Sequence, residues 1–300
     1  MHVVTLFVTL AALIAQAPDG AVIEVPGGTY HENVTIDSRH GVRLHPRAGE
    51  HVVIDGAIEI RSSSDVEVRG FEVRNARGIG FTSWGSSNVT IAGNDVHDCA
   101  RAGIWAGFDK PGASHGIVIR DNVVTNSVLE NRDRAAERGW SQAIGVQYCD
   151  GVTIERNRVT RNYGEGINVC VTDHAKVLAN ELSDNFSFEV YLDNARYVTV
   201  DQNTISTTND RAFFRYGQPA SGIGCANEEY AYTTSLSHLT ITNNIIRGAR
   251  DGFYYGDFGR GGGMHDVRVT GNTFVGCRRR PVYIEKARHT GVVVKANAIR

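Results

Sequence analysis

Short runs of alternating apolar and polar residues recur along most of the chain, and a tight turn interrupts each run. Examples are "VTIAGNDVHD", "VTIERNRVTR", "VTVDQNTIST" and "LTITNNIIRG". Alternation with a period of two is typical of a strand that buries one face. Each repeat is therefore predicted to hold a short β-branched strand, a two-residue turn and a second short strand.

The turn residues give the length of the repeat. They are Gly70, Asn94, Asn122, Asn157, Asn180, Asn203, Asn244, Asn272 and Asn297, at intervals of 24, 28, 35, 23, 23, 41, 28 and 25 residues. Such a short unit has no room for a βαβ crossover and cannot bury its own apolar face. Stacked units can, which predicts an all-β β-solenoid with parallel strands. Asn suits these turns because it tolerates left-handed backbone, and stacked Asn side chains hydrogen-bond to each other.

A third strand is predicted about ten residues after each turn Asn, in stretches such as "GIWAG", "GINVCV" and "EVYLDN". Alternation directs its aliphatic side chains, together with Tyr254, into the core. The side chains predicted to face outward are Trp105, Gln147, Asn168, Glu189, Tyr191, Asp193, Tyr255, Asp257, Tyr283 and Glu285. Arg215, in "FFRYG", is one residue out of phase, and a bulge is expected to point it outward as well.

Stacking would arrange these outward side chains in columns on one face. One column is predicted to contain Trp105, Asn168, Tyr191, Arg215, Tyr255 and Tyr283, and the next Asp193, Asp257 and Glu285. Aromatic rings and polar groups in one groove suit a sugar ligand. Two loop insertions, residues 126–142 and 217–235, are predicted to flank this groove.

We predict two sets of functional residues on this face. The catalytic set is Tyr191, Asp193, Arg215, Tyr255 and Asp257. The substrate-binding set is Trp105, Gln147, Asn168, Glu189, Tyr283 and Glu285.

The N-terminal segment "MHVVTLFVTLAALIAQAP" has the apolar run of a signal peptide, but no Lys or Arg precedes that run. An amphipathic helix over residues 8–17 is favoured, because it would cover the first coil of a solenoid, whose open end invites aggregation. A cytoplasmic location is therefore expected, with secretion or a periplasmic location as the alternative. No other apolar run approaches the length of a membrane span.

Charge and cysteine usage narrow the possible ligands. The formal net charge is -2 and no basic block is present, so neither a nucleic-acid nor a membrane partner is predicted. Five widely spaced cysteines without a Cys-x-x-Cys motif argue against a disulfide framework or a zinc site. The carboxylate column is a possible Ca²⁺ site, and no other cofactor is predicted.

The opening "AALIAQAPDGAVIEVPGGTYHENVTI" resembles the start of right-handed parallel β-helix proteins of the pectate-lyase-like superfamily. The later repeats are similar to the β-helix repeats of that superfamily, and "GEGINV" with "NFSFEVYLDNA" resembles a pattern in bacterial β-helix proteins. The resemblance covers roughly residues 8–300. It implies one right-handed parallel β-helix domain over residues 1–300 with an N-terminal cap helix, a scaffold that hosts many chemistries.

The favoured functional hypothesis is a polysaccharide lyase or C5-epimerase that acts on a uronate. Arg215 and Asn168 would neutralise the substrate carboxylate. Tyr191 or Tyr255 would act as base or acid, with Arg215 lowering a tyrosine pKa.

Three alternatives remain open. A glycoside hydrolase would use the carboxyl groups of Asp193, Asp257 and Glu285. An intracellular enzyme would act on a small molecule in a closed pocket, and a non-catalytic β-helix would bind a glycan along the same face. The calcium cluster of pectate lyases and the Asn-x-Asp, Asp-Asp and Gly-His-Gly motifs of polygalacturonases are not recognisable in the sequence.

Overall fold

Each repeat forms one coil of three short strands, and successive coils pair in parallel. The computed structural model describes residues 9–133, 139–258 and 262–300. In these residues the strands form three parallel sheets of 11, 11 and 10 strands, each joining every third strand of the chain. This arrangement confirms the predicted right-handed parallel β-helix.

The first sheet contains the strands that precede each turn. They are β1 (Val22–Val25), β4 (Arg43–Pro46), β7 (Ser64–Arg69), β10 (Ser87–Ala92), β13 (Ser114–Arg120), β16 (Cys149–Glu155), β19 (Asp173–Leu178), β22 (Arg196–Asp201), β25 (Ser237–Thr242), β28 (His265–Thr270) and β31 (Val293–Lys295).

The second sheet contains the short strands that follow each turn. They are β2 (Gly28–Tyr30), β5 (Val52–Asp55), β8 (Glu72–Arg74), β11 (Asp95–His97), β14 (Val123–Thr125), β17 (Arg158–Thr160), β20 (Glu181–Ser183), β23 (Thr204–Ser206), β26 (Ile245–Arg247), β29 (Thr273–Val275) and β32 (Ala298–Ile299).

The third sheet contains the predicted third strands and forms the floor of the groove. They are β3 (Val34–Asp37), β6 (Ile58–Arg61), β9 (Phe81–Trp84), β12 (Ile104–Gly107), β15 (Gln142–Gln147), β18 (Glu165–Cys170), β21 (Phe188–Asp193), β24 (Ser221–Asn227), β27 (Asp251–Asp257) and β30 (Arg280–Ile284). Two 3-10 helices, Leu129–Asn131 and Arg211–Phe213, lie in the loops before β15 and β24.

The core is built from stacks of aliphatic side chains inside the coils. In the third sheet, for example, Ile144, Ile167 and Val190 are in register and fully buried. Burial of apolar area on this scale is the main stabilising force of the fold. Four of the five cysteines are buried in or beside this core, and all five are free thiols.

A buried ladder of asparagines runs along the turn between the first and second sheets. The side-chain oxygen of Asn180 accepts hydrogen bonds from the backbone N–H of Asn157, at 2.9 Å, and from its side-chain amide, at 3.0 Å. The side-chain amide of Asn180 donates in turn to Asn203 and to the carbonyl oxygen of Ile154. The same pattern joins Asn94, Asn122, Asn157, Asn180, Asn203, Asn244, Asn272 and Asn297. The ladder predicted from the sequence is therefore present.

The backbone reason for the ladder differs from the predicted one. The residue with left-handed backbone is the one before each Asn, as at Ala179 (φ 51°) and Gln202 (φ 58°). Asn itself is selected because its amide both accepts and donates between coils. Gly70 is one of the left-handed residues (φ 80°), so the ladder begins at Phe71, whose N–H donates to Asn94.

A second ladder follows the corner between the second and third sheets, and Glu189 ends it. The Asn162 amide donates to the Asn185 side-chain oxygen at 2.8 Å. Asn185 then donates its backbone N–H, at 3.1 Å, and its side-chain amide, at 2.5 Å, to the two carboxyl oxygens of Glu189. Burial raises the pKa of Glu189 to about 8. The predicted outward orientation of Glu189 is wrong, because the corner ladder holds its side chain in the interior.

The cap helix α1 (Leu10–Gln16) lies over the first coil, as predicted for residues 8–17. The Thr9 hydroxyl accepts from the N–H of Ala12 at 3.1 Å, and the Glu32 carboxylate accepts from the first two N–H groups of the helix. Leu10 and Ile14 are buried against the core. Val8, the first residue of the predicted helix, lies outside the described residues. Among the described helices, none is long and apolar enough to span a membrane.

The structure describes the two predicted loop insertions, residues 126–142 and 217–235, to different extents. Residues 134–138 of the first lie outside the described residues, whereas its end, Trp140, stands beside the groove. The second, residues 217–235, was predicted to be a loop but contains strand β24. "FFRYG" is not the third strand of that coil. Its first residue ends the 3-10 helix Arg211–Phe213, and Arg215 pairs with Gln218 in an isolated bridge.

The ladder predicts a large effect of a small polar truncation. Asn180→Ala removes hydrogen bonds from three buried partners, so we expect the free energy of unfolding to fall by about 2–4 kcal/mol. The matched control is Lys176→Ala, at an exposed position of the adjacent strand, which should change it by less than about 0.5 kcal/mol. Equal effects of both substitutions in urea unfolding would contradict a structural role for the ladder.

The raised pKa of Glu189 predicts a pH-dependent stability difference. Its pKa is about 8 in the folded protein and near 4.5 when unfolded, so the unfolded chain loses the proton first as pH rises. The penalty on the folded state is absent below pH 4.5 and grows up to about pH 8. Glu189→Gln, whose single oxygen can accept both bonds as the ladder Asn residues do, should raise the unfolding free energy at pH 8 by about 4 kcal/mol.

Denaturant unfolding at pH 4 and pH 8 measures this difference. Glu181→Gln, at an exposed position of β20, is the control and should leave the difference between the two pH values unchanged. A Glu189→Gln protein that is less stable than the parent at pH 8 would show that Glu189 is ionised in its site.

Candidate functional site

The outer face of the third sheet forms a groove with two adjoining hollows. One hollow, of about 800 Å³, lies over β12 to β24 and is lined by residues that include Asn168, Tyr191 and Asp193. The other, of about 850 Å³, lies over β3 to β15. The two hollows share Trp105 and Trp140, so they form one continuous path along the helix axis.

Three carboxyl groups from successive coils enter the 800 Å³ hollow. They belong to Glu165 at the start of β18, Asp193 at the end of β21 and Glu228 directly after β24. Glu165 faces the groove because strict alternation begins only at Ile167, so strand positions 165 and 168 both point outward. We refer to Glu165, Asp193 and Glu228 as the carboxyl cluster.

Burial controls the protonation of two of these groups. The pKa of Glu165 is raised to about 8, first by burial and then by the nearby charge of Glu228, against hydrogen bonds from Trp140 and Gln142. The pKa of Asp193 is also raised to about 8, first by burial and then by Glu228. Both groups are therefore largely protonated at neutral pH, and carboxyl groups of this kind are suited to donate a proton.

Two tyrosines connect the cluster. The Tyr191 hydroxyl donates to Glu228, and the Tyr230 hydroxyl donates to Oδ2 of Asp193. Oδ1 of Asp193 is buried and has no hydrogen-bond partner among the described residues. Burial and the neighbouring carboxyl groups raise the pKa of both tyrosines. The prediction that Arg215 lowers a tyrosine pKa in this groove is wrong for Tyr191, because burial and negative neighbours dominate.

Arg215 reaches the hollow from the loop before β24 rather than from a strand. Its guanidinium lies 4.6 Å from the ring centre of Trp140 and donates to the Ser187 hydroxyl at 2.8 Å. Its charge acts on Glu165. The predicted outward placement of Arg215 therefore holds, although the predicted bulged strand does not exist.

Six predicted site residues line the 800 Å³ hollow together. They are Trp105, Gln147, Asn168, Tyr191, Asp193 and Arg215. Their side chains belong to β12, β15, β18 and β21 and to the loop before β24.

Tyr255 is a core residue, which corrects its predicted catalytic role. Its side chain is fully buried, and its residue pairs with Cys225 and Ile284 in the inward row. Its hydroxyl accepts from the Asn227 amide at 3.0 Å. Tyr254, predicted to face inward, is in register with Tyr283 in the outward row. Because the two residues are adjacent tyrosines, the sequence does not indicate which of them faces inward.

The predicted carboxylate column does not form. Asp193 is in register with Ala226, whereas Asp257 is in register with Asn227, one position further along. The Asp257 side chain hydrogen-bonds to Tyr255, and its backbone N–H donates to Glu285 at 3.0 Å. Asp257, Tyr283 and Glu285 are outside the carboxyl cluster. No group of three or more His, Cys, Asp or Glu side chains among the described residues is arranged to hold a metal ion.

The sequence interpretation missed the residues that complete the cluster. Glu165 was not among the predicted site residues, and Glu228 and Tyr230 lie in "NEEYAY", within a segment predicted to be a loop. A usable signal was present, because "GIGCAN" just before them repeats the small-and-apolar pattern of "GINVCV". Aligning these two stretches would have placed Glu228 beside Asp193.

The fold is shared with proteins of several activities. An alginate lyase from Paenibacillus sp. str. FPU-7 is similar at 12% identity, with a TM-score of 0.65 and 96% of each chain covered. The catalytic unit of a GH87 alpha-1,3-glucanase from Streptomyces thermodiastaticus is similar at 15% identity, with a TM-score of 0.60, 96% of this chain and 65% of that chain. A surface adhesin of Streptococcus pneumoniae is similar at 12% identity, with a TM-score of 0.56, 88% of this chain and 79% of that chain.

At these identities the similarity shows the fold alone. No curated protein sequence matches the chain significantly. A family model described as "Right handed beta helix region" matches residues 20–169 and 137–299, which together span nearly the whole chain. The stacked coils, the groove and this match lead to one conclusion: the chain belongs to the right handed beta helix region family.

Proposed function

We propose that the protein is a glycoside hydrolase that cleaves a neutral glycan with the carboxyl cluster. The observation that carries the proposal is the grouping in one hollow of two buried carboxyl groups, whose pKa is raised to about 8, with a third that accepts a hydrogen bond from Tyr191. Glycoside hydrolysis requires a proton donor and a carboxylate on the two sides of the scissile bond. Two of the similar solved structures are named as enzymes of glycans, a lyase and a glucanase.

In this proposal Asp193 is the proton donor. Tyr230 holds its Oδ2, which leaves Oδ1 without a protein partner to deliver a proton to the glycosidic oxygen as the carbon–oxygen bond breaks. Glu228 is the carboxylate that assists attack on the sugar carbon, oriented by the Tyr191 hydroxyl. The anomer formed first distinguishes direct attack by water, which inverts, from a covalent intermediate, which retains.

Glu165 and Arg215 adjust the charge of the hollow. Glu165 stays protonated beside Glu228, and the Arg215 guanidinium offsets part of the negative potential. Because Glu165 and Asp193 are protonated, the charges of Glu228 and Arg215 nearly balance, and the hollow has no surplus positive charge to hold a substrate carboxylate. The protein side therefore favours a neutral sugar over a uronate.

A lyase or C5-epimerase acting on a uronate is the second candidate, because Arg215 and Asn168 line the same hollow. Such an enzyme needs a base for the C5 proton. The raised pKa of Tyr191 and Tyr230 makes either tyrosine a weak candidate for that base, which is why hydrolysis is preferred.

The carboxyl cluster is tested by the activity of its variants. Purified protein incubated with neutral glucans, mannans and xylans and with alginate and polygalacturonate should release reducing ends from a neutral polymer without ultraviolet absorbance of unsaturated ends. Glu228→Gln and Asp193→Asn should each reduce kcat by about 10³-fold, because each removes one half of the acid–base pair. Glu285→Gln, outside the cluster, is the control and should keep its activity.

Other outcomes separate the alternatives. Absorbance that rises with the reducing ends on alginate or polygalacturonate, and that disappears in Arg215→Ala, would establish the lyase instead. Full activity of Glu228→Gln on the cleaved polymer would remove the carboxyl cluster from the mechanism.

The proton donor is tested by the pH dependence of activity. The proton donor must be protonated, so kcat/KM should fall as pH rises through about 8, the pKa of Asp193. Glu165 titrates in the same range, so a second variant distinguishes the two groups. Glu165→Gln should keep the fall of kcat/KM at alkaline pH. The residual activity of Asp193→Asn should no longer show that fall. An alkaline limb near pH 5 would show that neither buried carboxyl group is the donor.

A further inference from the structure

We propose that the groove grips an extended glycan on both sides of the carboxyl cluster with flat aromatic rings, so that the protein cleaves polymers internally. Cleavage by the carboxyl cluster rests on the proposed function, whereas the binding path rests on the geometry of the third sheet. It assigns a role to aromatic side chains on both sides of the carboxyl cluster, from Trp84, three coils before Glu165, to Tyr283, two coils after the strand that precedes Glu228.

On the N-terminal side, two tryptophans form a platform. The Trp105 ring lies flat over the backbone of Gly107, where an added Cβ would meet it at 2.7 Å, and of Gly145, where an added Cβ would meet it at 3.2 Å. Trp84, in the coil before, stacks beside it with ring centres 5.5 Å apart and planes 29° apart. Trp84 is 39% exposed, so the platform presents an open apolar face to the groove.

On the C-terminal side, the same device recurs. The Phe188 ring lies over Gly224 and the Tyr254 ring over Gly256, where an added Cβ would meet each ring at less than 3 Å. Phe188 and Tyr254 have ring centres 5.7 Å apart, and Tyr254 and Tyr283 have ring centres 5.2 Å apart. Glycine at these positions lets each ring lie against the sheet. The Phe188 ring also stacks on Tyr191, with ring centres 4.6 Å apart, so Tyr254 is the ring that we assign to stacking on a sugar.

The spacing of the platforms sets the size of the ligand. Trp84 (β9) is three coils before Glu165 (β18), and Tyr283 (β30) is four coils after it. At about 4.8 Å per coil, the path from Trp84 to Tyr283 is about 34 Å long. A mono- or disaccharide would touch the cluster and at most one platform, whereas a linear chain of several sugars running along the axis would touch both.

The direction of the path is supported by the hollows. The 850 Å³ hollow over the tryptophan platform joins the 800 Å³ hollow over the cluster, and Trp140 borders both. A chain can therefore pass from the platform to the cluster without leaving the groove.

The test measures dependence on ligand length. Binding and cleavage are compared for the polymer found in the activity assay and for its di- to hexasaccharides; if no polymer is cleaved, binding of each polymer of the panel is measured by calorimetry. Trp84→Ala and Tyr254→Ala should each weaken hexasaccharide or polymer binding about tenfold. Trp84→Ala should leave disaccharide binding unchanged, because Trp84 is three coils from Glu165, whereas Tyr254→Ala, one coil from the strand that precedes Glu228, should weaken it less than hexasaccharide binding. The control is Tyr197→Ala, an aromatic residue 45% exposed on the first sheet, which should change neither.

The outcomes separate this proposal from the proposed function. Rapid loss of polymer viscosity, with Trp84→Ala and Tyr254→Ala both impaired on long chains, supports internal cleavage. Cleavage of disaccharides as fast as polymers, with both variants unimpaired, leaves hydrolysis standing and overturns the platforms. Polymer binding that depends on both rings but shows no cleavage keeps the platforms and rejects the enzyme, whereas no binding of any panel polymer rejects the platforms.

Discussion

The hydrogen bonds between successive coils determine where every other group in the molecule lies. The buried Asn ladder fixes each turn directly above the turn before it. If two turns were out of register, buried amide groups would lose their hydrogen bonds, and water could not replace them. An insertion of any length must therefore return the chain to the same register. The 35- and 41-residue intervals do so, and their extra residues leave the stack beside the third sheet. The ladder thus places the two loops at the groove.

The loops change the chemistry of the groove by excluding water. Trp140 from one loop and Tyr230 from the other cover carboxyl groups that a bare sheet would leave in solvent. Burial then raises the pKa of Glu165 and Asp193 to about 8, while the protonated forms still find hydrogen-bond partners. The stability lost at neutral pH by keeping these groups inside is tolerable because the long apolar core of the solenoid supplies a large favourable term.

The sequence predicts those parts of the protein in which apolar and polar residues alternate regularly, and it fails where the alternation is weak or ambiguous. The repeat, the Asn ladder and the cap helix follow from local rules and were predictable. The outward positions of Asn168, Tyr191 and Asp193 were predictable too, because β18 alternates from Ile167 onward and β21 from Val190 onward. Tyr254 and Tyr255 were exchanged because two adjacent tyrosines satisfy either phase. Glu228 was missed because its strand, "SGIGCAN", has mostly small residues and therefore a weak apolar signal. Glu189 was misplaced because nothing in its strand reveals that the next coil lacks an Asn for the corner ladder.

The position of the carboxyl groups within their strands explains how one scaffold can support new chemistry. The middle of each third-sheet strand is constrained by the core on one side and by its neighbours at about 4.8 Å on the other. Glu165 begins its strand, Asp193 ends its strand and Glu228 follows its strand, so each lies where the pleat gives way to a loop. At such edges a substitution alters the groove without changing the stack. A loop can also supply the second partner, as Tyr230 does for Asp193, so the proposed reaction depends on strand ends and loops rather than on the coil that carries them.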